Sequence, residues 1–139
     1  MSINVFAAEY FYTRVENEPA KAYELLSRLA SEDINLLAFS AVPFGPNHVE
    51  LTIFPKRSED FQRVAGKLGW AVTGPQHAIL IQGDDHLGAL ARIHQKLFEA
   101  GVRIYASTGV TDGQGRFGYV IYTNEGDHLA AAGAVAGLG

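Results

Sequence analysis

The feature that most constrains this chain is that it aligns on itself. Shifted by 68 positions without a gap, the sequence keeps the apolar class at nearly every candidate core position. Ala22, Leu25 and Leu29 fall on Leu90, Ile93 and Leu97, and Ile34, Leu36 and Ala38 fall on Val102, Ile104 and Ala106. Val49, Leu51 and Ile53 fall on Phe117, Tyr119 and Ile121, and Phe61 falls on Leu129. Gly45 and Gly69 fall on Gly113 and Gly137. A period of this length means two copies of one supersecondary unit, so any fold must satisfy both copies at once.

Each copy reads the same way. "EYFYTRV" and "HAILIQG" are short apolar runs rich in aromatic and β-branched residues, which predicts strands. Ala22, Leu25, Leu26 and Leu29 then recur at the spacing of one buried helical face, with Pro19 suited to the first turn. "INLLAFSAV" and "VRIYASTGV" predict second strands, and "FGPN" and "TDGQGR" carry turn chemistry. "HVELTIF" alternates as a strand with one wet face does. Phe61, Val64, Ala65 and Leu68 mark a second helix, for which Ser58 is a candidate N-cap. The alanine-rich end, "AAAGAVAGLG", falls on the same place and predicts a closely packed small-residue helix.

Copy one adds a last strand, "WAVTG" (Trp70–Gly74), whose counterpart in copy two would lie past the end of the sequence. Shifted back by 68, that strand lands on "SINVF" (Ser2–Phe6). The expectation is an α+β fold of two ferredoxin-like (βαββαβ) units with antiparallel sheets, the N-terminal strand completing the second unit. The expected domains are 9–74 and 77–139 plus 2–6. Phe11, Ile79, Ile81, Val120 and Tyr122 place apolar residues at both strand parities. The preferred reading is that sheets pack together or extend side by side, between halves or between subunits.

The stretch before the first helix of each copy is where chemistry would reside. A helix start presents unpaired N–H groups and a partial positive charge, which favour an anion. Ala20 and Gly88 are small residues that let a ligand approach the backbone, while Asn17 and Asp85 can either cap the helix or turn outward. An amino acid needs a donor for its carboxylate and an acceptor for its ammonium, and such a loop offers both. On local pattern alone, capping is the simpler use.

Other constellations lead less far. His86 and His94 are eight residues apart, about 12 Å along a helix, too far to share one ion. His94 takes the place of Leu26, which favours a structural role, and His48, His77 and His128 fall at strand starts or surface positions. Asp84 and Asp85 are adjacent, so their side chains point apart, and "TDGQGRFG" joins two strands where a phosphate cradle would lead into a helix. The reading is of no catalytic residue, no metal site and no cofactor. With no cysteine among its 139 residues the chain has neither disulfides nor thiolate ligands. A net charge of -4 with scattered basic residues gives no footprint for nucleic acid. No secretory signal pattern and no membrane-length apolar run is visible, so a soluble, cytoplasmic protein is expected.

"NEPAKA" with "INLL" in copy one, and "DHLGAL" with "VRIY" in copy two, resemble the D/N-x-P-G-x-L and "giNI" pattern of the ACT domain. The resemblance covers nearly the whole chain and implies a free-standing tandem pair of ferredoxin-like modules that bind an amino acid or similar small metabolite. Such pairs regulate a metabolic enzyme and bind their ligand at the interface between two modules. Carried over by position, the ligand-contacting residues are Asn17, Glu18, Pro19, Ala20 and Asn35 in copy one. In copy two they are Asp84, Asp85, His86, Leu87, Gly88 and Arg103. Ala20 replaces the glycine of the pattern, Leu87 the proline, and Arg103 an asparagine; Val15 and Gly83 stand where serine-binding members carry a histidine. Copy two, which keeps both aspartate and glycine, is the better site. The implied protein is non-catalytic, acts in trans on an enzyme or regulator and forms a homodimer or higher homo-oligomer. Two other classes stay open: a small cofactor-free enzyme using His86 or His94, and a pure protein-interaction module.

Overall fold

A computed structural model describes residues 3–138. Ser2 and Gly139, which end two of the expected domain ranges, lie outside the described residues. The chain order is β1 (Ile3–Glu16), α1 (Pro19–Ser31), β2 (Leu36–Phe44), β3 (His48–Pro55), α2 (Ser58–Leu68), β4 (Thr73–Asp84), α3 (Ala89–Glu99), β5 (Ile104–Thr111), β6 (Arg116–Thr123) and α4 (His128–Ala136). It divides into two compact units: an N-terminal unit, Glu9–Gln76, and a C-terminal unit that joins residues 3–8 to 77–138. Each is an α+β unit of ferredoxin-like order with an antiparallel sheet.

In the N-terminal unit the strands lie in the order β2-β3-β1, followed by the start of β4. Phe11 pairs with Ile53 and Val15 with Val49, which puts these side chains on the face covered by α1 and α2. Alternation does the rest, because successive side chains point to opposite faces. Phe11, Leu25, Leu29, Leu51, Ile53, Phe61 and Ala65 form the core, with the Phe11 and Phe61 rings 4.8 Å apart. The other face is not bare: Tyr10 and Phe54, one residue out of phase, pack with tilted rings 5.1 Å apart and are both buried. Thr13 Oγ1 donates to the Ala71 carbonyl at 2.8 Å, joining β1 to the stretch that leads into β4.

The C-terminal unit repeats the plan, with β4-β6-β5 as its strand order. Its core is Ile79, Ile81, Ala89, Ile93, Leu97, Phe117, Tyr119, Ile121, Ala131, Val135 and Leu138, against which Ile3 and Val5 of β1 pack. The N-terminal strand therefore completes this unit. The duplication extends to irregularities: a β-bulge interrupts the β2–β3 register between Leu36 and Ala38, and another interrupts β5–β6 between Ile104 and Ala106.

Four expectations are corrected. "SINVF" and "EYFYTRV" are parts of one strand, β1, because Ala7 and Ala8 between them carry no turn chemistry. Trp70–Val72 precede β4 instead of opening a strand, although Trp70 and Val72 pack on the N-terminal core. Ser58 is the first helical residue of α2; Arg57 holds the cap position, with no side-chain cap bond. Leu129 is 67% exposed and does not take the place of Phe61. The connection from β6 to α4 is two residues longer than that from β3 to α2. That offset moves the buried stripe to Ala131, Val135 and Leu138.

Candidate functional site

The two helix-start loops differ in construction. In the N-terminal unit Pro19 opens α1 directly, its fixed φ being already helical, with Glu18 extended at φ -122°. Asn17 N–H donates to the Asn47 carbonyl at 2.8 Å, tying the loop to the β2–β3 turn. In the C-terminal unit Leu87 cannot preset the backbone, and the helix starts at Ala89. Gly88 stands before it at φ 84°, a left-handed conformation that a side chain would strain. Neither helix has a side-chain cap bond, so Asn17 and Asp85 do not cap.

The loops also line different spaces. Asn17 and Glu18 border a cleft of about 380 Å³ with Glu16, Pro46, Asn47 and His48. Asp85, His86, Leu87 and Gly88 border one of about 550 Å³, together with Ala89, Leu90, Ala91, Gly109, Val110, Thr111, Phe117 and Gly118. The second is the candidate site. Its walls are the start of α3 and the edge strand β5, and the buried Phe117 of β6 closes it from below. A further groove of about 960 Å³ in the N-terminal unit runs between α1 and Leu68–Ala71 over β1, bordered by Lys21, Glu24 and Arg28. None of the expected site residues lies on it.

Asp84 and Asp85 part company. The Asp84 carboxylate accepts from Arg116 Nη1 at 2.8 Å. Asp85 uses its backbone N–H to reach the Gly115 carbonyl at 2.8 Å, and its side chain stands exposed on the cleft. The neighbouring turn is pinned by Asp112, whose Oδ1 accepts from the N–H groups of Gln114 (2.7 Å) and Arg116 (3.1 Å). Those two bonds hold its carboxyl below the usual range. His86 lines the cleft with Nδ1 3.1 Å from the Leu87 carbonyl. His94 is elsewhere in the hydrogen-bonding scheme: its Nε2 lies 2.6 Å from the Tyr119 hydroxyl, which donates to Ser107 Oγ at 2.8 Å.

The outlying residues of the expected site do not join it within their own units. Asn35 follows α1, where its carbonyl accepts from Lys56 N–H at 2.8 Å, and Asn17–Ala20 are at the opposite end of that 13-residue helix, about 20 Å away. Arg103 follows α3 in the same way, while Asp85–Gly88 precede it. Gly109–Thr111, Phe117 and Gly118 line the cleft without having been picked from sequence. Gly109 and Gly118 were the available signal, since a glycine inside a strand marks a bulge or a close approach.

No group of three or more His, Cys, Asp or Glu side chains among the described residues could hold a metal ion, and no described helix is long and apolar enough to cross a membrane. No family model matches the sequence, and no curated relative matches it. Solved structures do. Protein BT0572 from Bacteroides thetaiotaomicron aligns over 96% of this chain and 90% of its own, with a TM-score of 0.80 at 19% identity. The ligand-free regulatory subunit of aspartate kinase from Thermus thermophilus aligns over 97% and 95%, with a TM-score of 0.65 at 17% identity. The corresponding subunit from Thermus flavus aligns over 98% and 94%, with a TM-score of 0.62 at 15% identity. In fold, the chain is similar to these regulatory subunits and consists of two ferredoxin-like units.

Proposed function

We propose that the chain is a non-catalytic regulatory module that binds an amino acid, or a similarly small zwitterion, and acts in trans on a metabolic enzyme or regulator in the cytoplasm. The observation that carries this reading is the cleft of about 550 Å³ formed by Asp85–Gly88 against β5. Its size falls within the range of small-molecule sites, and it combines a free carboxylate with the uncapped first turn of α3. Similarity of fold to subunits described as regulatory supports the same reading. Self-association is part of the proposal: β2 and β5, the edge strands of their units, carry no charged side chain to discourage pairing with another chain.

The test is thermal unfolding of the full chain against each of the twenty amino acids at millimolar concentration. A ligand at one hundred times Kd adds about 2.7 kcal/mol, or several degrees for a protein of this size. The expected result is a shift with one amino acid or a related group, lost in Leu90→Trp, whose enlarged side chain fills the cleft. No shift with any of the twenty overturns the reading.

A further inference from the structure

If this cleft is the ligand site, its lining also states a preference. Leu87 is 103% exposed, Val110 71% and Leu90 40%, and all three border the same concavity over the buried Phe117 ring. Single exposed apolar side chains are ordinary, but several converging on one hollow are a surface that wants covering. Charge on the lining is one-sided. Among the described residues Asp85 is its only carboxylate, His86 is its other ionisable side chain, and no lysine or arginine borders it.

Each class of amino acid meets that lining differently. A second carboxylate or a phosphate would face Asp85 with no lysine or arginine to offset it. A cationic side chain would find Asp85 already engaged by the ligand's own ammonium and would lay its charge on leucine, valine and phenylalanine, losing water without gaining a second partner. An apolar side chain covers Leu87, Leu90 and Val110 and gains on every contact. The main-chain groups of the ligand have places as well. Its ammonium pairs with Asp85, and its carboxylate meets the N–H groups of Leu90 and Ala91 in the uncapped first turn of α3.

We infer that the C-terminal cleft selects amino acids with an uncharged apolar side chain, of valine to phenylalanine size. This rests on the binding role proposed above. The N-terminal unit does not share the preference: the places of Asp85, Ala89 and Leu90 are taken there by Asn17, Lys21 and Ala22.

Titration calorimetry on the full chain decides the matter, with valine, leucine and phenylalanine set against glycine, aspartate and lysine. The apolar three should bind at least about tenfold more tightly than the others, the scale on which an apolar pocket discriminates. Leu87→Ser should weaken leucine binding about fivefold. It should leave the unliganded melting temperature unchanged, since the native side chain touches nothing that supports the fold. Tightest binding by aspartate or lysine overturns the selectivity and leaves the binding role standing. Unchanged leucine affinity in Leu87→Ser also overturns it. Binding by none of the six or of the remaining amino acids overturns both.

Discussion

His94 Nε2 lies 2.6 Å from the hydroxyl of Tyr119, and at the same three places of the N-terminal repeat, where this unit has His94, Tyr119 and Ser107, stand Leu26, Leu51 and Phe39. One copy of the unit thus holds together with an apolar trio where the other uses a hydrogen-bonded chain. The apolar version shows that the fold does not require the polar one. A satisfied internal hydrogen bond contributes about 0.5–1.5 kcal/mol net, and leaving one partner unsatisfied is the larger penalty. Tyr119→Phe should therefore lower stability by about 1–2 kcal/mol in urea unfolding. Adding His94→Leu should recover part of that loss, because the orphaned imidazole goes with it. A double variant as unstable as the sum of the two singles would show that no such bond links them.

Gly109 pairs with Tyr119 across the β5–β6 ladder, and a Cβ on Gly109 would lie 2.9 Å from Tyr119 Cδ1. The equivalent N-terminal pair is Ala41 with Leu51, where a smaller side chain on β3 leaves room for the extra methyl. Gly109→Ala should destabilise by about 1–3 kcal/mol, the usual range for overpacking. Gly118→Ala is the control: a Cβ there meets nothing within 4 Å, so removing a strand glycine should be neutral or stabilising by up to about 1 kcal/mol. Equal effects at the two glycines would remove the steric argument.

These pairs explain why some of the architecture was legible in the sequence and some was not. The repeat exposed the fold class because apolar periodicity survives divergence: Leu25 and Ile93, Ile53 and Ile121 fill like positions in like cores. Gly45 and Gly113, both at positive φ, marked the two hairpin turns. What failed was spacing. A two-residue extension before α4 leaves too few identities to reveal it, so Leu129 was matched to Phe61 although Ala131 and Val135 carry the buried face. The start of α3 carries no such mark in the sequence, because Leu87 does not preset the backbone as Pro19 does in the other copy. At the site, Asp85–Gly88 was readable as a local motif. Its far wall, Gly109–Thr111, comes from another strand and is adjacent only after the sheet forms.

His77 and His128 stack with ring centroids 4.3 Å apart and planes 10° from parallel. Burial lowers the pKa of His128, and the charge of His77 lowers it further. A histidine whose folded pKa lies below its unfolded value takes up protons more readily when unfolded. Its contribution to stability is therefore full above about pH 6.5 and is lost as the pH falls from there towards the folded pKa. Stability measured by urea unfolding should decline from pH 7 to pH 5, and His128→Gln should make the decline shallower. A slope unchanged by the substitution would place the proton uptake on other groups.

Asp84 and Asp85 allow stability and the proposed binding to be tested apart, since these adjacent carboxylates stand in different surroundings. Asp84 bridges Arg116 at 2.8 Å with both side chains about half exposed, at 48% and 41%. Such a pair contributes about 0–1 kcal/mol. Asp84→Asn should lower stability by no more than that and leave amino-acid affinity as it was. Asp85 has an exposed carboxylate on the cleft, so Asp85→Asn should leave stability unchanged. It should weaken binding of every amino acid by about tenfold or more, the worth of one charge-assisted bond. The same substitution should spare any ligand that lacks an ammonium, because the lost partner is the cation's alone. Calorimetry on both variants with leucine and with its deaminated analogue reads all four outcomes. Equal loss for the two ligands in Asp85→Asn would mean that this carboxylate orders the loop instead of holding the ammonium.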